Sequence, residues 1–192
     1  MNYTRHELEN LGFASIGEDV AIHRSAVFFN SAGIHLGSRV RIDCFCLISA
    51  GADGIWIGNN IHISASAHIF GSGGRVVMED FSSLSGRGML YTASDDFTGE
   101  AMTNPTVPIE FRNVRCGPIT LRRHALVGAG SIVLPDIVLG IGSSVGSLSL
   151  VKHDIPDYDV VAGIPARKIG QRNSRILELE KAYVETLGAK AE

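Results

Sequence analysis

Three carboxylates fall within six residues of one another in the stretch "YTASDDFTGEAMTNP", Tyr91 to Pro105: Asp95, Asp96 and Glu100. A carboxylate with an unperturbed pKa near 4 is a poor base for a sugar hydroxyl, whose proton must be taken during attack by a group titrating near neutrality. A primary amine is different. It arrives largely as an ammonium ion, so a carboxylate pair can attract it, orient it and accept its proton. Asp95 and Glu100 are the chosen pair, with Asp96 the weaker candidate. The competing reading is a solvated loop tip in which Asp96 or Glu100 caps a turn. The one dense cationic cluster is "FRNVRCGPITLRRH", with Arg112, Arg115, Arg122 and Arg123. These arginines suit a diphosphate, or else a rim that pairs with the acidic loop.

A short repeat decides what must position these residues. Leu121, Val127, Val133, Leu139, Val145 and Val151 follow one another at intervals of six. Two residues before the later members sit Ala125, Ser131, Ser143 and Ser149, with Ile137 as the exception. Neither a helix nor an ordinary alternating strand has that period. Upstream the sets are Ile16, Ile22, Phe28; Leu36, Ile42, Ile48; Ile57, Ile63, Ile69; and Val77, Ser83, Met89, separated by steps of 8, 9 and 8. Three hexads therefore close one triangular coil, and the extra residues leave at one corner. Six coils account for residues 16 to 156, a prism roughly 30 Å tall at the usual inter-strand spacing. Glycines are expected at the corners, where positive φ is easiest.

After Met89 the next member is Leu121, a step of 32, so the carboxylates lie on a long excursion from the repeat. Loops of that length are usually functional or disordered; two prolines and several apolar residues in "TNPTVPIEF" argue for order. Beyond the prism, Gly163 and Pro165 mark a turn. The spacing of Ile176, Leu179, Tyr183, Val184 and Leu187 then predicts an amphipathic helix, with Ser174 as N-cap and Gly188 as stop.

A net charge of -3 with 19% charged residues offers no basic surface for nucleic acid. The N-terminus "MNYTRHELENLGF" shows neither signal peptide nor membrane span, so a cytoplasmic location is expected. Cys44, Cys46 and Cys116 lack common metal or redox spacing and read as buried reduced thiols.

The hexads, the loop from one corner and the terminal segment "GIPARKI" together resemble the hexapeptide-repeat acyltransferases. The resemblance runs from Ile16 to about Ile169. It implies a mainly β fold, a left-handed parallel β-helix of about six coils with one long loop after the fourth coil and a C-terminal α-helix. It also implies a homotrimer and acetyl-CoA or another short acyl-CoA as co-substrate. Carried over position by position, the pantetheine arm is expected near Ala129 and Ser147, and near Gly163 and Pro165. Lys152, Arg167 and Lys168 are expected towards the phosphates and adenine. Many sugar and serine O-acetyltransferases of the family place a histidine where this chain has Asp95. With "SSLSGRG" upstream, the departure resembles the subset that N-acylates 4-amino sugars on dTDP, and Ser85 is the family-matched contact for the acyl group or sugar. The expected organisation is a catalytic β-helix over 1–170, with an active-site loop over 93–118, and a helical segment over 171–192. Its acceptor is a nucleotide-linked amino sugar of surface polysaccharide biosynthesis, and Arg112, Arg115 and Arg123 are candidates for contacting it.

Two other functions stay open: sugar O-acetylation of the galactoside or maltoside type, and a non-catalytic β-helix that only assembles other chains. The fold shape also occurs in γ-class carbonic anhydrases, whose metal needs histidines five residues apart. His62 and His68 are six apart, so no metal is expected, and both read as surface or interface packing.

Overall fold

The computed structural model describes residues 1–188. The last four residues of the expected 171–192 segment lie outside the described residues. The chain opens with a short helix, α1 (Arg5–Glu9), capped by Thr4 and Glu7, whose Leu8 closes the N-terminal end of the core.

Six complete coils follow. They comprise β1 (Ser15–Ile16), β2 (Ala21–Ile22) and β3 (Val27–Phe29); β4 (Ile34–Leu36), β5 (Arg41–Ile42) and β6 (Leu47–Ala50); and β7 (Ile55–Ile57), β8 (His62–Ile63) and β9 (His68–Gly71). The fourth is β10 (Val76–Met78), β11 (Ser83–Leu84) and β12 (Met89–Tyr91), from which the long loop leaves through β13 (Ala93–Ser94) and returns through β14 (Arg115–Cys116). The fifth is β15 (Ile119–Leu121), β16 (Leu126–Val127) and β17 (Ile132–Val133), and the sixth β18 (Ile137–Leu139), β19 (Ser144–Val145) and β20 (Leu150–Val151). Corresponding strands stack in parallel into three faces. A typical inward column runs Leu36, Ile57, Met78, Leu121, Leu139.

The fourth coil corrects the sequence reading by one residue. Met78, Leu84 and Leu90 point inward and are buried, whereas Val77, Ser83 and Met89 face out and are only half-buried. Strand side chains alternate, so a slip of one sends the whole set to the opposite face. Ile137 is likewise no exception within its own face. The first face carries a second buried β-branched residue in every coil from the second to the sixth: Ile34, Ile55, Val76, Ile119, Ile137. Of the small residues, Ala125 and Ser143 lead into strands of the second face and Ser131 and Ser149 into strands of the third.

The corners follow expectation only in part. Gly130 and Gly142 hold positive φ there, but at most corners a non-glycine residue does, Phe45, Arg87 and Leu148 among them. Glycine is needed instead where layers touch: a Cβ on Gly17 would sit 2.5 Å from the Gly37 backbone, and one on Gly37 2.6 Å from the Gly58 carbonyl.

A seventh coil begins with β21 (Asp159–Gly163), which pairs with β19 and then folds back antiparallel on β22 (Ala166–Gln171). The "GIPA" segment is thus the tip of a hairpin that covers the last open edge of the second face, a position that otherwise invites pairing with another chain. Helix α2 (Ile176–Gly188) returns along the prism. Asn173, rather than Ser174, supplies the side-chain acceptor at its entry, taking the Arg175 N–H at 2.8 Å. Among the described residues no helix is long and apolar enough to cross a membrane.

Candidate active site

The loop that carries the carboxylates is held at its root. Buried Thr92 donates its hydroxyl to the Phe70 carbonyl (2.8 Å) and accepts the Gly73 N–H (2.9 Å), and β13 and β14 form a two-residue antiparallel stem. Beyond the stem, Asp96 organises a tight turn: its carboxylate accepts from Thr98 N (2.9 Å), Thr98 Oγ1 (2.8 Å), Gly99 N (3.1 Å) and Ala101 N (3.0 Å). Those donors, led by the Thr98 backbone, hold its pKa down at about 2. Asp96 is therefore saturated by its own loop. Asp95 is half-buried, and its carboxylate accepts only a long bond from Asn104 N (3.4 Å) among the described residues. Glu100 lies on the Asp96 turn, exposed, with its own N–H directed to Thr98 Oγ1. The loop's apolar residues do not pack on their own prism as expected. Phe97 is 93% exposed, and Ile109 and Phe111 are exposed as well.

Ser85 stands at the opposite end of β12 from this loop. It occupies the corner between the second and third faces, half-buried. Ala129, Ser147, Gly163 and Pro165, all exposed, sit above it on the same corner. Five of the sequence candidates thus form one edge of the prism, while Asp95, Asp96, Glu100, Arg112 and Arg115 belong to the excursion from another. One chain alone does not bring the two sets together.

Lys152, Arg167 and Lys168 do converge. With His153 they line a depression of about 210 Å³ at the C-terminal end of the prism. Lys168 has a prior engagement: its ammonium donates to Asp159 Oδ1 at 2.6 Å, and the Asp159 side chain is 7% exposed. Asp159 has no mark in the sequence beyond its place next to a hairpin that hexad counting does not reveal.

The arginine cluster separates. Arg115 is exposed on β14, and Arg112 lies in the loop with a buried Nε that has no partner among the described residues. Arg122 binds Glu79 (3.0 Å), and Arg123 binds Glu180 (2.8 Å) and Asp80 (3.6 Å) at the corner between the first and second faces. Arg123 fastens α2 to the prism, together with His124, whose Nε2 lies 2.8 Å from Glu180 Oε2. The rim reading also changes, because Arg122 and Arg123 pair with the prism and the helix and not with the acidic loop.

His62 and His68 stand on different faces, β8 and β9. Among the described residues no group of three His, Cys, Asp or Glu side chains could hold a metal ion. His62 is more than surface packing: its Nε2 lies 2.8 Å from Asp43 Oδ2. All three cysteines are free. Cys46 is buried, and desolvation raises its thiol to about 11; Cys116, expected inside, is exposed because β14 belongs to the loop stem.

No family model matches the chain. It is 41% identical over 177 residues to the dTDP-4-amino-4,6-dideoxy-D-glucose acyltransferase of Escherichia coli, with 92% of each chain covered. It is 37% identical to a serine-to-cysteine variant of AntD, an N-acyltransferase from Bacillus cereus solved with dTDP-4-amino-4,6-dideoxyglucose and coenzyme A. The TM-score is 0.92 over 96% of this chain and 97% of that one. AntD with dTDP and 3-hydroxybutyryl-CoA gives a TM-score of 0.93 at 38% identity over 97% and 98%. AntD has also been solved with an aspartate replaced by asparagine or alanine and with a serine replaced by threonine or alanine. A hexapeptide-repeat acetyltransferase from Vibrio cholerae shares the fold at 18% identity, with a TM-score of 0.57. Identity of this order over nearly the full length of both chains, on a prism with the same loop-bearing architecture, settles the family: the chain belongs to the hexapeptide-repeat acyltransferases, among the dTDP-4-amino-4,6-dideoxyglucose acyltransferases.

Proposed function

We propose that the chain transfers an acyl group from a short acyl-CoA to the amino group of a dTDP-linked 4-amino sugar, as a homotrimer in the cytoplasm. The observation that carries this is the state of Asp95: a half-buried carboxylate with one long hydrogen bond, next to a saturated Asp96. It is free to hold an ammonium ion. An aspartate and a serine are also the residue types varied in AntD, which agrees with the choice of Asp95 and Ser85 here.

In this reading Asp95 binds the ammonium, assisted by Glu100, and takes one proton. The freed amine attacks the thioester carbonyl, a C–N bond forms, and Ser85 Oγ–H donates to the oxygen on which negative charge develops. Collapse breaks the C–S bond. The CoA thiolate leaves and takes up the proton that the new amide nitrogen sheds, so the whole reaction releases one proton to solvent. Ala129 and Ser147 let the pantetheine arm lie close to the backbone, and Lys152 and Arg167 answer the CoA phosphates. Arg112 and Arg115 are placed on the loop to meet the acceptor. Residues 1–170 are the catalytic unit and α2 is a strap.

The separation of Ser85 and Asp95 on different edges supports the trimer, since a neighbour's loop can complete each site. The outward side of the third face supports it. Val27, Phe29, Leu47, Phe70, Met89 and Ile132 line it, with Phe29 54% exposed, and the loop's bare Phe97 and Phe111 add to the surface left for a second copy. The test is CoA release across a panel of acyl-CoAs with dTDP-4-amino-4,6-dideoxyglucose and with simple glycosides. Turnover confined to the amino sugar is expected, and turnover of glycosides alone would replace N-acylation by O-acylation.

A further inference from the structure

Past Asp95 the loop folds back on its own root. The Asp96 carboxylate closes the first part by accepting the Ala101 N–H (3.0 Å), and the chain then returns to Asp95 as a second turn, "NPTV", Asn104 to Val107. The Val107 N–H donates to the Asn104 carbonyl (3.3 Å). Asn104 Oδ1 accepts the N–H (3.0 Å) and the hydroxyl (2.5 Å) of Thr106. Pro105, its φ preset by the ring, fills the second position of this turn. Asn104 itself has a φ of 68°, a left-handed backbone that asparagine tolerates and most residues with a Cβ avoid. Its side chain is therefore spent on locking its own turn. Its main-chain N–H is directed elsewhere, to Asp95 Oδ2 at 3.4 Å.

Among the described residues no other donor reaches the Asp95 carboxylate, and its Oδ1 has no partner. The stem does not orient it: the Ser94 hydroxyl donates to the main-chain carbonyl of Asp95 (3.4 Å), not to its side chain. Asp96 next door shows the opposite case. Every N–H that a carboxylate accepts favours the charged form, and the donors from Thr98, Gly99 and Ala101 leave neither Asp96 oxygen free. A carboxylate that must take a proton is best oriented by as few donors as possible, and one N–H on one oxygen is the least that can do it. Resting on the role proposed above for Asp95, we infer that Asn104 is a positioning residue for the reaction: its turn-held N–H fixes the Asp95 carboxylate through Oδ2 and leaves Oδ1 for the substrate ammonium.

A main-chain donor is displaced by altering the turn that holds it. Asn104→Ala removes the Oδ1 acceptor and disfavours the left-handed φ, whereas Asn104→Gly removes the acceptor but adopts that φ freely. In steady-state kinetics on the dTDP-linked amino sugar, Asn104→Ala should lower kcat about tenfold by misplacing the base, with KM for acyl-CoA and Tm near the parent values. Asn104→Gly should recover most of the loss. On an Asp95→Asn background Asn104→Ala should cost nothing further, because its effect passes through the carboxylate. A turn that served loop order alone would cost as much there as in the parent, and that result overturns the inference. So does full activity of Asn104→Ala, an Asn104→Gly variant no better than Asn104→Ala, or a fall in Tm that accounts for the loss. Full activity of Asp95→Asn would overturn the base itself and the positioning role with it. An impaired Asp95→Asn beside an indifferent Asn104→Ala removes only the positioning role.

Discussion

Adjacent aspartates in the loop should give opposite phenotypes. In Asp95→Asn the side chain keeps its shape and loses its charge. Among the described residues its carboxylate's one hydrogen bond is the 3.4 Å bond from Asn104 N, which an amide oxygen can still accept, so the fold should not notice. Activity on the amino sugar should fall roughly a hundredfold, corresponding to about 2.7 kcal/mol of transition-state stabilisation, with Tm unchanged. Activity of the parent should rise with pH as more substrate amine is free. Asp95→Asn with Glu100→Gln should cost less than the sum of the singles, since both serve one function. Asp96→Asn is the contrast. It replaces a carboxylate that collects donors from Thr98, Gly99 and Ala101, so it should loosen the turn and speed amide exchange at residues 98–101. Any loss of activity should come through loop order. Because the folded pKa of Asp96 is depressed to about 2 from 3.8, its contribution is present above about pH 4 and is lost as pH falls from there towards 2. CoA release by the three variants, with exchange rates for the loop, decides the matter. Full activity of Asp95→Asn, or equal losses in turnover and exchange protection for both aspartates, would refute the reasoning.

Lys168→Ala strands the carboxylate of Asp159, 7% exposed. The half-exposed lysine and a second donor, Gln171 Nε2 at 3.5 Å, moderate the usual cost of breaking a buried pair to about 2 kcal/mol. That is roughly 4 to 8 °C in Tm by scanning calorimetry, with much of it restored by adding Asp159→Asn. Among the described residues the Arg167 side chain bonds only the neighbouring Ala166 carbonyl, so Arg167→Ala should leave Tm alone and weaken coenzyme A binding by about 1 to 3 kcal/mol in a titration. Light scattering at micromolar concentration should give a trimer mass, and Phe29→Glu should shift it to monomer and abolish turnover; a monomeric parent with full activity would sink the shared-site argument. His124→Ala removes the stacking on Phe81 and the bond to Glu180, and should raise amide exchange across residues 176–187 while leaving the coils protected.

What the sequence by itself determined is the architecture. A strand of a few residues plus a turn repeats every six residues, and only a coil of that circumference lets each aliphatic residue meet the one stacked above it. The period, the corner that takes insertions and the root of the long loop are therefore all readable from spacing. Asp95 stood out by its residue type set against the resemblance, since the O-acetyltransferases the chain resembles place a histidine there; the fold adds that its carboxylate is half-buried with one long hydrogen bond among the described residues. Register within a coil was less secure. In "VVMED" and "SSLSG" neighbouring residues offered two plausible inward sets, and only stacking against Ile57 and Leu121 selects Met78 over Val77. The tertiary structure alone decided what each charge is spent on. Arg123 and Glu180 are 57 residues apart, Lys168 and Asp159 face each other across a hairpin, and Arg41 meets His62 only because one coil of chain brings them level. Charges pair with whatever lies within a few ångströms, and in a solenoid that neighbour is set by the layer above or below, not by the next residue along the chain.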